Sequence, residues 1–264
     1  MKCGRINSRP GCSTSSPATS PKTLECSLVT NVVAARLLNP SSKMSFTPEL
    51  LRRHSFAWIT DFGSPSQFVE DETPLNDVVC LRNWLGRGRP LIIRRPCRSE
   101  DGKSVYVGLS LPPNPAKRRL AFRLPFSSLA NVVEPPLWTE CAEASPESPE
   151  IAGPILSVIE AANLPLQTFG SYAWQHYTGL SYVTSHSDVD LIVPINRWED
   201  WQRFRELMSE AQKTDQRVDL EIMLNGDASF HWREFETPGR QLLFKGNRSV
   251  WMGDKSDVEA LLDD

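Results

Sequence analysis

Across Ser187–Ile195, Val189, Leu191, Val193 and Ile195 alternate with Asp188, Asp190, Ile192 and Pro194, and a period of two predicts a strand with one continuous apolar face. Arg217–Leu224 repeats the pattern: Val218, Leu220, Ile222 and Leu224 share one face, and Asp219, Glu221 and Met223 share the other. Between these strands Trp198, Trp201, Phe204, Leu207, Met208 and Ala211 recur at helical spacing, so Trp198–Lys213 is predicted to be an amphipathic helix with its tryptophans in the core. Its length suits a parallel crossover. Upstream, Pro154–Ala162 predicts a helix opened by Pro154, with Ile155, Leu156, Val158, Ile159 and Ala162 near one face. Leu164–Phe169 is short enough for a strand, and Tyr172–Tyr177 reads as a helix.

The preceding part of the chain reads mostly as strands, at Pro90–Pro96, Ser104–Leu111 and Arg118–Pro125. Residues 142–150 (AEASPESPE) read as a linker or exposed loop. The expected organisation is α+β: a β-rich N-terminal subdomain over residues 44–150, then a mixed-sheet domain with helices on one side over residues 151–264. Residues 1–43 hold twelve Ser/Thr, four Pro and six Lys/Arg but one acid, Glu25, and no aromatic residue, a composition that cannot build a core. They read as a disordered tail or as sequence upstream of a true start at Met44, with a transit peptide as the targeting alternative.

Charge changes the picture in one place. The whole chain of 264 residues carries a formal charge of -3, yet residues 81–123 hold eleven Lys/Arg against two acids. That excess points to an anionic ligand or partner, against the simpler reading of a solvated surface. No run approaches the ~20 apolar residues of a membrane helix. Six cysteines without a Cys-x-x-Cys pair, alongside four histidines, form neither a disulfide framework nor a zinc site, and a reducing, cytoplasmic location fits them.

Chemistry concentrates on the acidic strand faces. Asp188 and Asp190 point the same way and repel each other unless they sit at an exposed strand end or share a cation. A third carboxylate from the second strand, Asp219 or Glu221, completes a cradle of oxygen ligands suited to Mg2+, which favours a few carboxylates plus substrate phosphates. Gly170 and Ser171 lie between the short strand and its following helix, where glycine admits close backbone approach and a hydroxyl and helix amides donate to phosphate oxygens. His176 and His186 lack a third nitrogen or sulfur ligand and read as surface polar residues, and Arg233 and Lys245 as solvated cations. Cys80, Cys97 and Cys141 show no nucleophile pattern.

The order strand, Gly-Ser, helix, Asp-x-Asp strand, helix, strand with a further acid resembles the DNA polymerase beta-like nucleotidyltransferase superfamily. Within it, FGSYAWQHYTGLSYVTSHSDVDLIV (Phe169–Val193) resembles the malonate decarboxylase holo-acyl-carrier-protein synthase family, also called phosphoribosyl-dephospho-coenzyme A transferase. RHSFAWI from Arg53, PLIIRR from Pro90, VGLSLPP from Val107, KRRLAF from Lys117 and HWREF from His231 agree with that branch, so the likeness spans roughly Leu51–Leu243. The resemblance implies a polymerase beta-like fold. It gives Gly170 and Ser171 a phosphate-binding role, Asp188 and Asp190 a catalytic metal-binding role, and Asp219 the third position, with Glu221 as the alternative. It also implies Mg2+ or Mn2+ as cofactor. The implied reaction moves phosphoribosyl-dephospho-CoA from triphosphoribosyl-dephospho-CoA to a serine of the malonate decarboxylase acyl carrier protein, releasing diphosphate, with neither nucleic acid nor membrane as partner. Two alternatives stand beside it: the same chemistry on another acceptor, and a non-catalytic regulatory module of the same fold.

Overall fold

The computed structural model describes residues 51–60, 74–96, 103–113, 118–144, 148–211 and 217–263. Residues 1–43, Met44, Cys97 and Lys117, which enter the readings above, lie outside that set. Ser45–Asp264 forms one compact unit. Its architecture is α+β, with two sheets and several helices.

The first sheet has five antiparallel strands in the order β4-β3-β2-β1-β5, formed by β1 (Phe56–Ile59), β2 (Leu91–Ile93), β3 (Ser104–Ser110), β4 (Arg119–Pro125) and β5 (Leu129–Val133). Helix α1 (Leu75–Leu85) contributes Leu81, Trp84 and Leu85 to its core. The alternation in β4 holds: Phe122 and Leu124 are buried while Arg119 and Ala121 are exposed.

The second sheet is mixed, ordered β11-β10-β9-β8-β7-β6. Its strands are β6 (Gln167–Thr168), β7 (Val189–Ile195), β8 (Val218–Leu224), β9 (Ala228–His231), β10 (Gln241–Lys245) and β11 (Val250–Asp254). Only β7 and β8 pair in parallel, as a helical crossover demands; the other neighbours are antiparallel. The crossover is α5 (Trp198–Glu210), which buries Trp201, Phe204 and Met208. Trp201 is core, its ring centroid within 6.2 Å of those of Phe204, Phe230, Trp232 and Phe235, while Trp198 is half-buried and packs against the edge of the cluster. Helices α3 (Ser148–Ala162), α5 and α7 (Asp257–Asp263) join the apolar face of this sheet in one core cluster.

Three local expectations change. The helix expected from Pro154 begins at Ser148, which makes residues 148–150 helical rather than a loop and puts Pro154 inside the helix. Fully buried Ala152 extends the apolar face one turn earlier, and that burial outweighs the backbone hydrogen bond lost at the proline. Residues 142–144 form a single 3-10 turn, following α2 (Trp138–Cys141), whose Trp138 and Cys141 already belong to the second core. The strand expected over Leu164–Phe169 is two residues long, because Phe169 leaves the ladder to open the next helix.

That helix, α4 (Gly170–Thr178), belongs to both cores. Tyr172 packs with Trp138 in the second cluster, while Ala173 and Trp174 complete the first, where Trp174 meets Phe56 and Trp84 edge-on. The Tyr182 hydroxyl, a little further on, donates to the Ser110 carbonyl at 2.5 Å. The helix that carries Gly170 and Ser171 therefore helps fasten the two sheets together. Among the described residues no helix is long and apolar enough to cross a membrane.

Candidate active site

Strand register builds the site. Alternation turns the apolar residues of β7 and β8 toward the helices and leaves Asp190, Asp219 and Glu221 on the opposite face. The parallel register sets Asp190 beside Asp219 and Ile192 beside Glu221. Antiparallel β9 sets His231 beside Glu221, and β10 sets Lys245 beside Ser229. An acidic stripe on two strands thus meets polar and cationic side chains from the next two.

Gly170 lies against Asp190. Its φ is +62°, and a Cβ at this position would stand 1.7 Å from Asp190 Oδ2. The main chain holds the pair in place: the Asp190 carbonyl accepts from Phe169 N–H at 3.1 Å and from the Thr168 hydroxyl at 2.7 Å. The Asp190 carboxylate therefore sits over the first residue of α4, beside the positive end of the helix, with half-buried Ser171 next in sequence.

Asp219 meets His231, whose Nε2 approaches Asp219 Oδ1 to 2.9 Å without hydrogen-bond geometry. His231 Nδ1 accepts from the Arg233 backbone N–H at 3.0 Å, which places the proton of a neutral ring on Nε2, facing the carboxylate. Asp219 Oδ1 is buried and makes no well-aligned hydrogen bond, with the His231 ring as its close polar contact. The oxygen donors of Asp190 and Asp219, side by side in the strand register, suit a hard divalent ion such as Mg2+ or Mn2+.

Glu221 has different surroundings. Its Oε2 accepts from Arg53 Nη2 at 2.6 Å and from the Ser229 hydroxyl at 2.9 Å, and its Oε1 from Lys245 Nζ at 3.0 Å. Burial alone would raise its pKa; the His54 ring at 3.6 Å, Arg53 and Lys245 outweigh that and hold the carboxyl well below the usual carboxylate range. His54 has its pKa lowered by burial, against the opposing pull of Glu221. It occupies the left-handed region at φ 72°, with its ring 4.3 Å from that of Phe169. His54 thereby joins β8 to the residue that precedes Gly170.

Of the residues singled out in sequence, the fold brings Gly170, Asp190 and Asp219 together and assigns Glu221 to a cation cage. Asp188 stands exposed just before β7, and among the described residues no three His, Cys, Asp or Glu side chains converge into a ready metal cluster. His186 is exposed, and His176 packs on Tyr177. Arg233 donates to the Val218 carbonyl at 3.0 Å, fastening α6 (Trp232–Glu236) to β8. Among the described cysteines, Cys80 and Cys141 are free thiols. Sequence reasoning missed Arg53, His54 and His231 and left Lys245 unassigned. The segments RHSFAWI and HWREF contained the first three, but periodicity says nothing of contacts between residues 168 positions apart, as Arg53 and Glu221 are.

Comparison with known proteins bears on this geometry. The family model described as "Phosphoribosyl-dephospho-CoA transferase MdcG N-terminal domain" matches residues 52–135, and that described as "Phosphoribosyl-dephospho-CoA transferase MdcG C-terminal domain" matches residues 137–256. A phosphoribosyl-dephospho-CoA transferase of Xanthomonas euvesicatoria pv. vesicatoria is 31% identical over 204 residues, covering 74% of this chain and 91% of the relative. One from Bradyrhizobium diazoefficiens is 30% identical over 208 residues, covering 77% of this chain and 90% of the relative. No solved structure matches.

Proposed function

The chain belongs to the phosphoribosyl-dephospho-CoA transferase family, and we propose that it carries phosphoribosyl-dephospho-CoA from triphosphoribosyl-dephospho-CoA to a serine of the malonate decarboxylase acyl carrier protein, releasing diphosphate. The family makes it a transferase enzyme. The observation that carries the finer reading is the triplet Gly170, Asp190 and Asp219: two carboxylates side by side on parallel strands, one of them seated on the glycine that opens a helix.

In this reading Gly170 lets the triphosphate approach the backbone, and the Ser171 hydroxyl and first-turn amides of α4 donate to phosphate oxygens. Asp190 and Asp219, joined by Asp188, would hold Mg2+ or Mn2+, which would supply charge neutralisation at the phosphates and a lowered pKa for the attacking hydroxyl. The acceptor serine Oγ forms a bond to the α-phosphorus as the bond from that phosphorus to the departing diphosphate breaks. Asp219 receives the hydroxyl proton. His231 steadies the Asp219 carboxylate, and Glu221 serves the fold instead of the ion.

The test is intact-mass spectrometry of apo acyl carrier protein incubated with the enzyme, the donor and Mg2+. The expected gain equals the phosphoribosyl-dephospho-CoA adduct, and Asp190→Asn abolishes it. A folded wild-type enzyme that binds donor and Mg2+ yet leaves the carrier unmodified overturns the assigned acceptor.

A further inference from the structure

A narrow cleft opens between β2–β3 of the first sheet and the turn that joins β10 to β11 in the second. Arg53, Arg94, Ser104, Tyr106, Asn247 and Arg248 supply its polar lining. It is a built cleft. Asn247 Oδ1 accepts from the Arg53 backbone N–H at 2.8 Å, Asn247 Nδ2 donates to the Gly226 carbonyl at 3.0 Å, and Arg95 Nε donates to the Gly246 carbonyl at 2.9 Å. Gly108 makes room for the Arg94 stem, since a Cβ there would stand 2.8 Å from Arg94 Cδ.

Arg53 Nε, in the lining, and Nη2 of Arg95, the residue that follows Arg94, are buried with no hydrogen-bond acceptor. Buried donors on permanent cations are expensive to leave unmet, and the chemistry that meets several guanidinium groups at once is a phosphate or diphosphate. Burial, and to a lesser degree the Arg53 charge, lower the Arg95 pKa, against the opposing pull of Glu221. The cleft also lies close to the carboxylates. Arg53 spans from its lining to Glu221, which is two residues from Asp219 along β8, roughly 7 Å at the rise of a strand.

We propose that this cleft is a second anion site that binds a diphosphate, separate from the phosphate site at Gly170 and Ser171. The inference rests on the donor proposed above: coenzyme A joins adenosine to pantetheine through a diphosphate, so that donor carries a non-reacting diphosphate as well as its triphosphate. The cleft grips the first while the second reacts. This accounts for part of the basic excess in residues 81–123, to which Arg94 and Arg95 belong.

Dephospho-CoA, which has the diphosphate and lacks the triphosphoribosyl group, is the probe. Isothermal titration of the full chain without metal is expected to show binding that weakens at least tenfold in Arg94→Ala and in Arg248→Ala. Arg94→Lys should fall between, Asp190→Asn should bind as wild type does, and inorganic diphosphate should compete where adenosine and pantetheine do not. Equal affinity in wild type and both alanine variants, or no binding to wild type, overturns the site. So does a raised KM for carrier protein with dephospho-CoA binding unchanged, which would make the cleft a dock for an acidic partner. Binding that depends on Arg94 while Asp190→Asn still transfers the group would overturn the catalytic reading and leave the diphosphate site standing.

Discussion

The Asp190 carboxylate fills the space that a side chain on residue 170 would need: its Oδ2 lies 1.7 Å from the Cβ position of Gly170. Gly170→Ala therefore combines a left-handed backbone, costing roughly 1–2 kcal/mol, with displacement of Asp190. Transfer should fall at least a hundredfold. Gly179 has the same conformation, φ +65°, with nothing within 4 Å of its Cβ position, so Gly179→Ala bears the backbone cost alone and keeps transfer near wild type. Equal loss of transfer in the two variants, at matched melting temperature, would show that backbone strain and not Asp190 is at issue.

Asp219 and Glu221 should separate cleanly. Asp219→Asn is expected to abolish transfer with little change in stability, because its side chain is 43% exposed. Glu221→Gln leaves buried cations without their counter-charge and is expected to cost about 3–5 kcal/mol in urea unfolding. If Glu221→Gln proved as stable as wild type but inactive, Glu221 and not Asp219 would be the third ligand.

His231 acts through Asp219, so its removal should appear first in ion binding. His231→Ala is expected to weaken Mn2+ affinity about tenfold, read by isothermal titration in the absence of donor. Unchanged affinity would leave the histidine a purely structural part of β9.

Cys141 offers a pH test outside the site. Burial, and then the Glu140 charge, push its thiol up from 9.0 to about 12. Above pH 9 the unfolded chain loses this proton while the folded chain keeps it, so the stabilisation is complete below 9 and disappears as pH rises toward 12. A Cys141→Ala variant should show a shallower alkaline decline by as much as ~1.4 kcal/mol per pH unit. Peptide mapping at pH 8 should find iodoacetamide on Cys141 only after unfolding. Rapid labelling of the native protein would contradict the burial.

Much of this protein was legible in its sequence because the relevant physics is local. Alternation in β7 and β8 depends on neighbours one and two residues away, and the helical stripe of α5 on those three and four away, so strand, crossover and parallel pairing could all be read from Ser187 to Leu224. Element ends were less legible. The early start of α3 depends on Ala152 finding a buried place, which is a tertiary fact.

The same division runs through the site. Residue type, order and strand face singled out Gly170, Ser171, Asp188, Asp190, Asp219 and Glu221 as candidates, and the family resemblance gave them their expected metal and phosphate roles. The tertiary structure gives different surroundings to Asp219 and Glu221, which share a strand face and look alike in a line of letters. Arg53 and His54, from the start of the first sheet, and Lys245, from β10, converge on Glu221, and His231 faces Asp219. A carboxylate's role is set by the charges around it, and those charges arrive from parts of the chain that only folding brings together.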